Sequence, residues 1–275
     1  MEHDGDVESF GKAMLDLLDL FLLRRGIPSD DQTLAFRRID GVADSQVIYF
    51  LPWHTPFSIA RRLGFIPLDF LACYEMPPAI VSSTPELSVE AMRRLVADAE
   101  SVLGRHRIVR RNAIIVGLSV GSFPATFLAN RIGARLCAVA PSDRADLMLW
   151  QSPAARLVKR RCLLRGLELS DYSKAMAGCH PVQNLAGIAP DSVFVMGRRD
   201  PFIPARRSKG LLRAIRRHQP HAAVVKLDAG HVKTMLASAR YQQALLNGGE
   251  LPHGTRHAHA SHALPTLQLA KPSGV

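Results

Sequence analysis

The 275-residue sequence is poor in cysteine and in aromatic residues. Its four cysteines form no CxxC pair and are too few for a disulfide framework, which indicates buried, reduced thiols. Aromatic residues make up 6% of the chain, too few to suggest a stacking surface for single-stranded nucleic acid. The cysteines are Cys73, Cys137, Cys162 and Cys179.

No stretch of the sequence has the roughly 18 uncharged apolar residues that a transmembrane helix needs. The best candidate, residues 13–23, is interrupted by Asp16 and Asp19, which fall on the polar stripe of an amphipathic helical pattern. The chain also opens on an acidic stretch, Met1–Asp6, whereas a secretory signal opens on basic residues. We therefore expect a cytoplasmic protein without a membrane span.

Basic residues outnumber acidic ones, 35 against 24, which gives a net charge of +11. Such an excess is compatible with nucleic acid, anionic membranes or anionic substrates as partners. The basic residues are spread over several clusters, and those of residues 206–217 alternate with leucine and isoleucine at helical spacing. That alternation is typical of a solvated helix face, so we expect no specific nucleic-acid partner.

Short apolar runs alternate with helical patterns along the central part of the chain. Runs that are apolar throughout are typical of strands covered on both faces, and their alternation with helices favours a parallel sheet. The sequence therefore predicts an α/β protein with a mostly parallel central sheet flanked by helices. The predicted strands are residues 33–39, 46–51, 70–74, 113–118, 136–140, 193–196 and 222–227.

The predicted domain boundaries lie where the alternation of apolar runs and helical patterns is interrupted. Residues 142–190 carry no strand pattern between two strong ones, which is too long for a plain crossover and suggests a helical lid insertion. Residues 33–141 and 191–247 then form the core. Residues 1–32 are predicted to form an amphipathic helix and a linker. Residues 248–275 are rich in glycine, histidine and proline and are predicted to be a disordered tail.

The strongest chemical signal is the GxSxG motif Gly117–Gly121, which lies between a predicted strand and a predicted helix. A serine on a sharp strand-to-helix turn adopts a strained backbone, and the chain passes so close to the positions two residues away that only small residues fit. The turn exposes the hydroxyl at the carboxyl edge of the sheet. We therefore expect a nucleophile elbow with Ser119 at its tip, between Gly117 and Gly121.

A serine hydroxyl needs a base to act as a nucleophile, and the base needs an acid that orients it. His231 follows a predicted strand and is the best candidate base, with His180 as a distant second choice. Asp200 also follows a strand and is the best candidate acid. Asp143 remains an alternative, and so does Asp228, although it is too near His231 in the chain to reach the far ring nitrogen easily.

With these residues in place, the sequence resembles the α/β-hydrolase fold superfamily over roughly residues 33–247. The resemblance implies a serine nucleophile at Ser119, an acid at Asp200 and a base at His231. It also implies a central α/β sheet of the kind that the apolar runs predict. The stretches that carry it are Gly117–Gly121, Gly197–Pro204, Ala229–His231 and, for the return of the lid to the core, His180–Leu185.

The resemblance further implies an oxyanion hole built from two backbone N–H groups. One belongs to Val120, the residue after the nucleophile, and the other to the loop that follows strand 46–51. This loop departs from the common His-Gly pattern, and Pro52 has no N–H group. The second donor is therefore Trp53 or His54, and we favour Trp53.

These features predict a serine hydrolase of the esterase or thioesterase kind, which cleaves a carboxylic ester, thioester or lactone through an acyl-enzyme on Ser119. The alternatives are carbon–carbon bond hydrolysis or other non-ester chemistry on the same fold, and a binding protein without catalysis. We expect a small-molecule acyl substrate and no metal or cofactor. His54 and Trp150 are candidate substrate contacts, and the basic residues 159–161 suggest that the substrate carries an anionic group.

Overall fold

The computed structural model describes Asp19, residues 32–248 and residues 256–257. Apart from Asp19 and Gln32, the predicted N-terminal helix and linker lie outside the described residues, and so does most of the predicted tail. None of the described helices is both long enough and apolar enough to cross a bilayer. The four cysteines are all described, and they are buried thiols that form no disulfide.

Eight strands of the described residues form one sheet, in the order β1-β3-β2-β4-β5-β6-β7-β8. Strands β2 to β7 are parallel, whereas β1 and β8 join the two edges antiparallel to β3 and β7. The predicted mostly parallel α/β fold is therefore confirmed. The strands are β1 (Arg37–Asp40), β2 (Val47–Phe50), β3 (Ala72–Glu75), β4 (Ile114–Leu118), β5 (Arg135–Val139), β6 (Val193–Gly197), β7 (Ala223–Leu227) and β8 (Arg256–His257).

The central strands are apolar throughout because both faces of the sheet are covered. Successive side chains of a strand point to opposite faces, so in β2 Ile48 and Phe50 join one core while Val47 and Tyr49 join the other. Every residue of β2 and β4 is buried. This burial explains why the strand signal in the sequence is a continuous apolar run.

Nine α-helices have described bounds, and they divide between the two faces of the sheet. Helices α2 to α7 contribute residues to the larger hydrophobic core. Helices α1, α8 and α9 contribute residues to the smaller one. The helices are α1 (Phe57–Arg62), α2 (Pro85–Arg105), α3 (Ser122–Ile132), α4 (Ala145–Gln151), α5 (Arg156–Leu164), α6 (Leu169–Ala175), α7 (Ala205–His218), α8 (His231–Ala237) and α9 (Ala239–Asn247).

The segment between β5 and β6 contains helices α4, α5 and α6 and no strand, and every residue of this segment is described. Polar contacts of two side chains, Tyr172 and Asp146, hold the segment together and join it to the core. Tyr172 donates its hydroxyl proton to the carbonyl of Ser82, 2.9 Å away, and thereby joins α6 to the loop before α2. Asp146 is fully buried and pairs with Arg144 and Ser173. The segment is therefore packed against the core near the start of α2.

The two-residue strand β8 lies within residues 248–275, which the sequence predicts to be disordered. Arg256 pairs with Val224 and His257 with Ala223, both in β7. These two residues are therefore paired with the sheet. The reason is that an edge strand offers unpaired backbone N–H and C=O groups to any extended segment, so pairing there needs no apolar side-chain pattern.

Candidate active site

Ser119 lies at the turn where β4 ends and the chain enters α3. Its backbone has a φ of 53°, in the left-handed region that a residue with a side chain rarely adopts. Such strain costs about 1–3 kcal/mol and persists only where the surroundings enforce it. A buried strand on one side and a helix on the other enforce it here, and the hydroxyl opens into a cavity.

The two glycines of the motif are required by close approach of the chain. A Cβ atom on Gly117 would lie 2.5 Å from the Cβ of Ala125, and one on Gly121 would lie 2.2 Å from the carbonyl oxygen of Phe50. Both distances are far below any van der Waals contact. The structure thus shows why small residues must flank the serine at a distance of two positions.

Ser119, His231 and Asp200 form one hydrogen-bonded chain at the carboxyl edge of the sheet. His231 Nδ1 lies 2.7 Å from Asp200 Oδ2, and His231 Nε2 lies 2.9 Å from Ser119 Oγ. A carboxylate only accepts, so Nδ1 carries the proton of the neutral ring and Nε2 is left to accept the serine hydroxyl. This is the tautomer that a general base needs.

The three residues come together because β4, β6 and β7 are parallel and end at the same edge. Asp200 is held in turn by two backbone groups, since its Oδ1 accepts the N–H of Phe202 at 2.9 Å and that of Ile203 at 3.1 Å. The ring of Phe202 also lies against His231, with ring centroids 4.6 Å apart. Both rotation of the carboxylate and tilt of the imidazole are thereby restricted.

The other candidates from the sequence lie elsewhere. The Asp228 side chain is 68% exposed and pairs with Arg199 at 2.9 Å. Asp143 is buried and pairs with Arg207 at 3.3 Å. The ring of His180 is buried beside a carboxylate of the segment between β5 and β6. Among the alternatives that the sequence leaves open, only Asp200 and His231 thus lie in the hydrogen-bonded chain to Ser119 within the described structure.

Asp19 is a residue of this site that the sequence analysis missed. Its Oδ2 accepts the backbone N–H of His231 at 2.8 Å and its Oδ1 that of Val232 at 3.2 Å. Only 3% of Asp19 is exposed, although the helical pattern assigns it to a polar stripe. Its only signal in the sequence is a charge that interrupts an apolar run. Burial raises the pKa of the Asp19 carboxyl, and the two N–H groups oppose that rise.

The pKa of His231 is raised from its ordinary value of 6.5. Burial by itself lowers this pKa, because it disfavours the charged ring. The negative charge of Asp200 and its hydrogen bond act in the opposite direction and are helped by the charge of Asp19, so together they outweigh burial. The site therefore stabilises the imidazolium that forms when the base takes a proton.

Two backbone N–H groups are candidate donors for an oxyanion hole beside Ser119. Val120 is in the first turn after the serine, where N–H groups have no acceptor within the helix. Trp53 follows Pro52 in a turn closed by the N–H of Thr55, and the described hydrogen bonds include none from the Trp53 N–H. Both Val120 and Trp53 line the same cavity as the serine.

The cavity has a volume of about 370 Å³ and walls that are mainly apolar. Its described lining contains Ser119 and His231 but no lysine, arginine, aspartate or glutamate. A pocket of this kind binds an uncharged, apolar group and uses its few polar atoms to orient it. The apolar walls are formed chiefly by Phe123, Met148, Ala154, Ala155, Ile203 and Met235.

One of the two candidate substrate contacts lines the cavity and the other does not. His54 lines the cavity mouth and has a φ of 54°. Trp150 does not line the cavity, and its ring packs on Tyr172 with centroids 5.8 Å apart. The reason is helical geometry, because Met148 faces the cavity and a residue two positions further points to the other side of α4.

The basic residues of the segment between β5 and β6 also lie outside the cavity. Arg160 and Arg161 are exposed on α5, and Lys159 beside them is not part of the described lining. If these residues attract an anionic group of the substrate, they do so from outside the cavity. Charges at the surface act only over distance and are screened by salt.

Comparison with known proteins supports the fold. No family model and no curated protein matches the sequence. Among solved structures, the chain is similar to an alpha/beta hydrolase enzyme from a Medee basin deep-sea metagenome library, at 17% identity and a TM-score of 0.50, over 80% of this chain and 96% of that one. It is also similar to a puromycin-hydrolyzing peptidase of Mycobacterium tuberculosis, at 11% identity and a TM-score of 0.50, over 74% of this chain and 34% of that one. Together with the sheet and the serine turn described above, these likenesses show that the chain has the α/β-hydrolase fold.

Proposed function

We propose that this protein is a serine hydrolase that cleaves a carboxylic ester, thioester or lactone. The observation that carries the proposal is the hydrogen-bonded chain from Ser119 through His231 to Asp200, with distances of 2.9 and 2.7 Å. A nucleophile, a base and an orienting acid in this order are the arrangement of acyl-transfer catalysis. The apolar cavity at the serine gives the acyl group a place to bind.

In the proposed mechanism, Ser119 Oγ attacks the carbonyl carbon while His231 Nε2 takes the hydroxyl proton. Asp200 holds the ring in the required tautomer and stabilises the imidazolium. The tetrahedral oxyanion accepts hydrogen bonds from the N–H groups of Val120 and Trp53. Collapse of this intermediate transfers the proton to the leaving group and leaves an acyl-enzyme. Water then attacks the acyl carbon and gives a proton to the same histidine. The second tetrahedral intermediate collapses as the bond to Ser119 Oγ breaks, the serine takes the proton back from His231, and the acid leaves.

The substrate class follows from the walls of the cavity. Because the described lining has no lysine, arginine, aspartate or glutamate, an ionised group inside would lose its hydration and find no ionic partner besides the two histidines, His54 and His231. We therefore infer that the acyl part of the substrate is uncharged and apolar. The net charge of +11 can still attract an anionic leaving group that stays outside the cavity.

The test of the proposal is covalent labelling of the purified full-length protein by an alkyl fluorophosphonate, with the labelled residue located by mass spectrometry. The expected result is one label, on Ser119, together with hydrolysis of a p-nitrophenyl acyl ester. The same protein, heat-unfolded before labelling, is the control and is expected to stay unlabelled. A folded protein that takes no label and hydrolyses no ester would overturn the proposal.

The pH dependence of hydrolysis follows from the pKa of His231. The ring acts as a base only when it is neutral, and its pKa lies above 6.5. We therefore expect kcat/KM for a p-nitrophenyl ester to fall about tenfold per pH unit below that pKa, so that the loss begins above pH 6.5. The measurement is a pH profile between 5 and 9, corrected for spontaneous hydrolysis. A profile that is flat down to pH 5 would contradict the assignment of the base.

The size of the cavity predicts a preference for acyl length. Each buried methylene contributes about 0.8 kcal/mol, or about fourfold in kcat/KM, until the cavity is full. Replacing Ala155, which lines the cavity, with leucine is expected to remove this gain for long chains while acetate ester hydrolysis stays within about threefold. The control is Ala177→Leu, the same change at an exposed position. Equal loss on all chain lengths would contradict the prediction.

A further inference from the structure

We propose that Asp19 is a positioning residue for the catalytic base: its buried carboxylate fixes the start of helix α8 and thereby keeps His231 within reach of Ser119. This inference rests on the proposed function and extends it to a residue 212 positions from the histidine. According to this inference, a carboxylate near the beginning of the chain helps to hold the active site in position.

The need for such a residue comes from where His231 lies in the secondary structure. His231 is the first residue of α8, and the first N–H groups of a helix have no acceptor within it. The residue before it, Gly230, has no side chain to accept them. His231 and Val232 are both buried, so water does not replace the missing acceptor easily. The carboxylate of Asp19 accepts both N–H groups, at 2.8 and 3.2 Å.

The position of the ring depends on the position of this first turn. Asp200 holds Nδ1 and the ring of Phe202 packs on the imidazole, but both belong to another loop. The bonds to Asp19 hold the backbone to which the ring is attached. If they are lost, the start of α8 is free to shift, and Nε2 moves relative to Ser119 Oγ. A displacement of about 1 Å in a catalytic group costs on the order of 100-fold in rate.

Asp19 also acts on His231 through its charge. The ionisable groups that face the ring in the described structure are Asp200 from the loop after β6, Asp19, and the Ser119 hydroxyl. Asp228, on the loop before α8, is exposed and paired with Arg199. Burial raises the pKa of the Asp19 carboxyl, but the two N–H groups that donate to its oxygens favour the ionised form. Removing this negative charge therefore lowers the pKa of His231.

The experiment compares Asp19→Asn and Asp19→Ala with the wild-type full chain. Asparagine has nearly the same shape, but its NH₂ group meets one of the two N–H donors, so it keeps one bond at most. For hydrolysis of an acyl ester, we expect kcat to fall on the order of 10- to 100-fold for asparagine and further for alanine, with KM within about threefold. The matched control is Asp228→Asn, which is expected to change neither constant.

The deciding readout is the pKa of His231, measured by NMR titration of the imidazole and assigned with a His231→Gln variant. This pKa is expected to be lower in Asp19→Asn than in the wild type and unchanged in Asp228→Asn. The NMR titration needs no turnover, so it tests Asp19 even if no ester is hydrolysed. Failure of the proposed function and failure of this inference are thereby distinguished.

Two results would overturn the inference. One is an Asp19→Asn protein with wild-type kcat and a wild-type pKa of His231. The other is a protein whose thermal unfolding midpoint and activity fall together while the pKa of His231 stays the same, because that pattern indicates a structural role only. If the alanine variant does not fold, the nearly isosteric asparagine variant still decides between these outcomes.

Discussion

Replacing Ser119 with alanine is expected to lower kcat for ester hydrolysis by on the order of 10⁴- to 10⁶-fold. The change removes the oxygen that forms the acyl-enzyme. This is the hydroxyl oxygen that lies 2.9 Å from His231 Nε2 in the wild type. The residual rate comes from the N–H groups and the cavity, which still bind the substrate. Alanine fits the site, because a Cβ atom is already present there.

The rate is measured under saturating substrate, and labelling by a fluorophosphonate is followed in parallel and is expected to disappear. Ser122→Ala is the matched control, since Ser122 lies one turn further on and its buried hydroxyl has no hydrogen-bond partner among the described residues. The control is expected to keep its rate within a few-fold. If the Ser119→Ala protein kept a tenth of the activity, another residue would have to be the nucleophile.

Replacing Asp200 with asparagine is expected to lower kcat by on the order of 10⁴-fold, although the shape of the side chain hardly changes. The reason lies in the neighbours of Asp200. Its Oδ1 accepts the N–H groups of Phe202 and Ile203, so the carbonyl oxygen of asparagine must stay on that side. The NH₂ group then faces His231 Nδ1 and donates to it. The ring proton then lies on Nε2, and Nε2 can no longer accept the proton of the serine hydroxyl.

The same substitution at the two other candidate acids tests this argument. Asp228→Asn removes an exposed pair with Arg199 and is expected to change kcat less than threefold. Asp143→Asn breaks a buried pair with Arg207 and is expected to lower the unfolding midpoint without removing the base. A loss below tenfold in Asp200→Asn, or a larger loss in either of the others, would show that the acid has been assigned wrongly.

Local features of the sequence were sufficient to predict the fold and the serine turn. Strands β2 and β4 are covered on both faces, so their whole length is apolar and stands out from the helical patterns beside them. The motif Gly117–Gly121 reports a steric requirement of the turn itself, since a Cβ atom at either end would collide with the chain. Signals of this kind depend on neighbours along the chain or on burial alone.

The edge of the sheet and the orientation of α4 were predicted less well, because neither depends on neighbours along the chain or on burial alone. Pairing at an edge strand uses backbone groups, which every residue has, and the two residues of β8 therefore left no side-chain pattern. The side of α4 that faces the cavity was also misjudged, because Trp150 and Met148 are both apolar and only the packed helix shows which one faces it.

The sequence by itself determined the sheet, the position of Ser119 and the short list of acids and bases that follow strands. Only the tertiary structure decided among them, because the parallel strands bring Asp200 to His231 while Asp143 and Asp228 pair with arginines. It also added Asp19, whose bonds run to backbone N–H groups 212 and 213 positions away. Contacts of this kind depend on three-dimensional distance, and neither spacing nor periodicity along the chain carries that information.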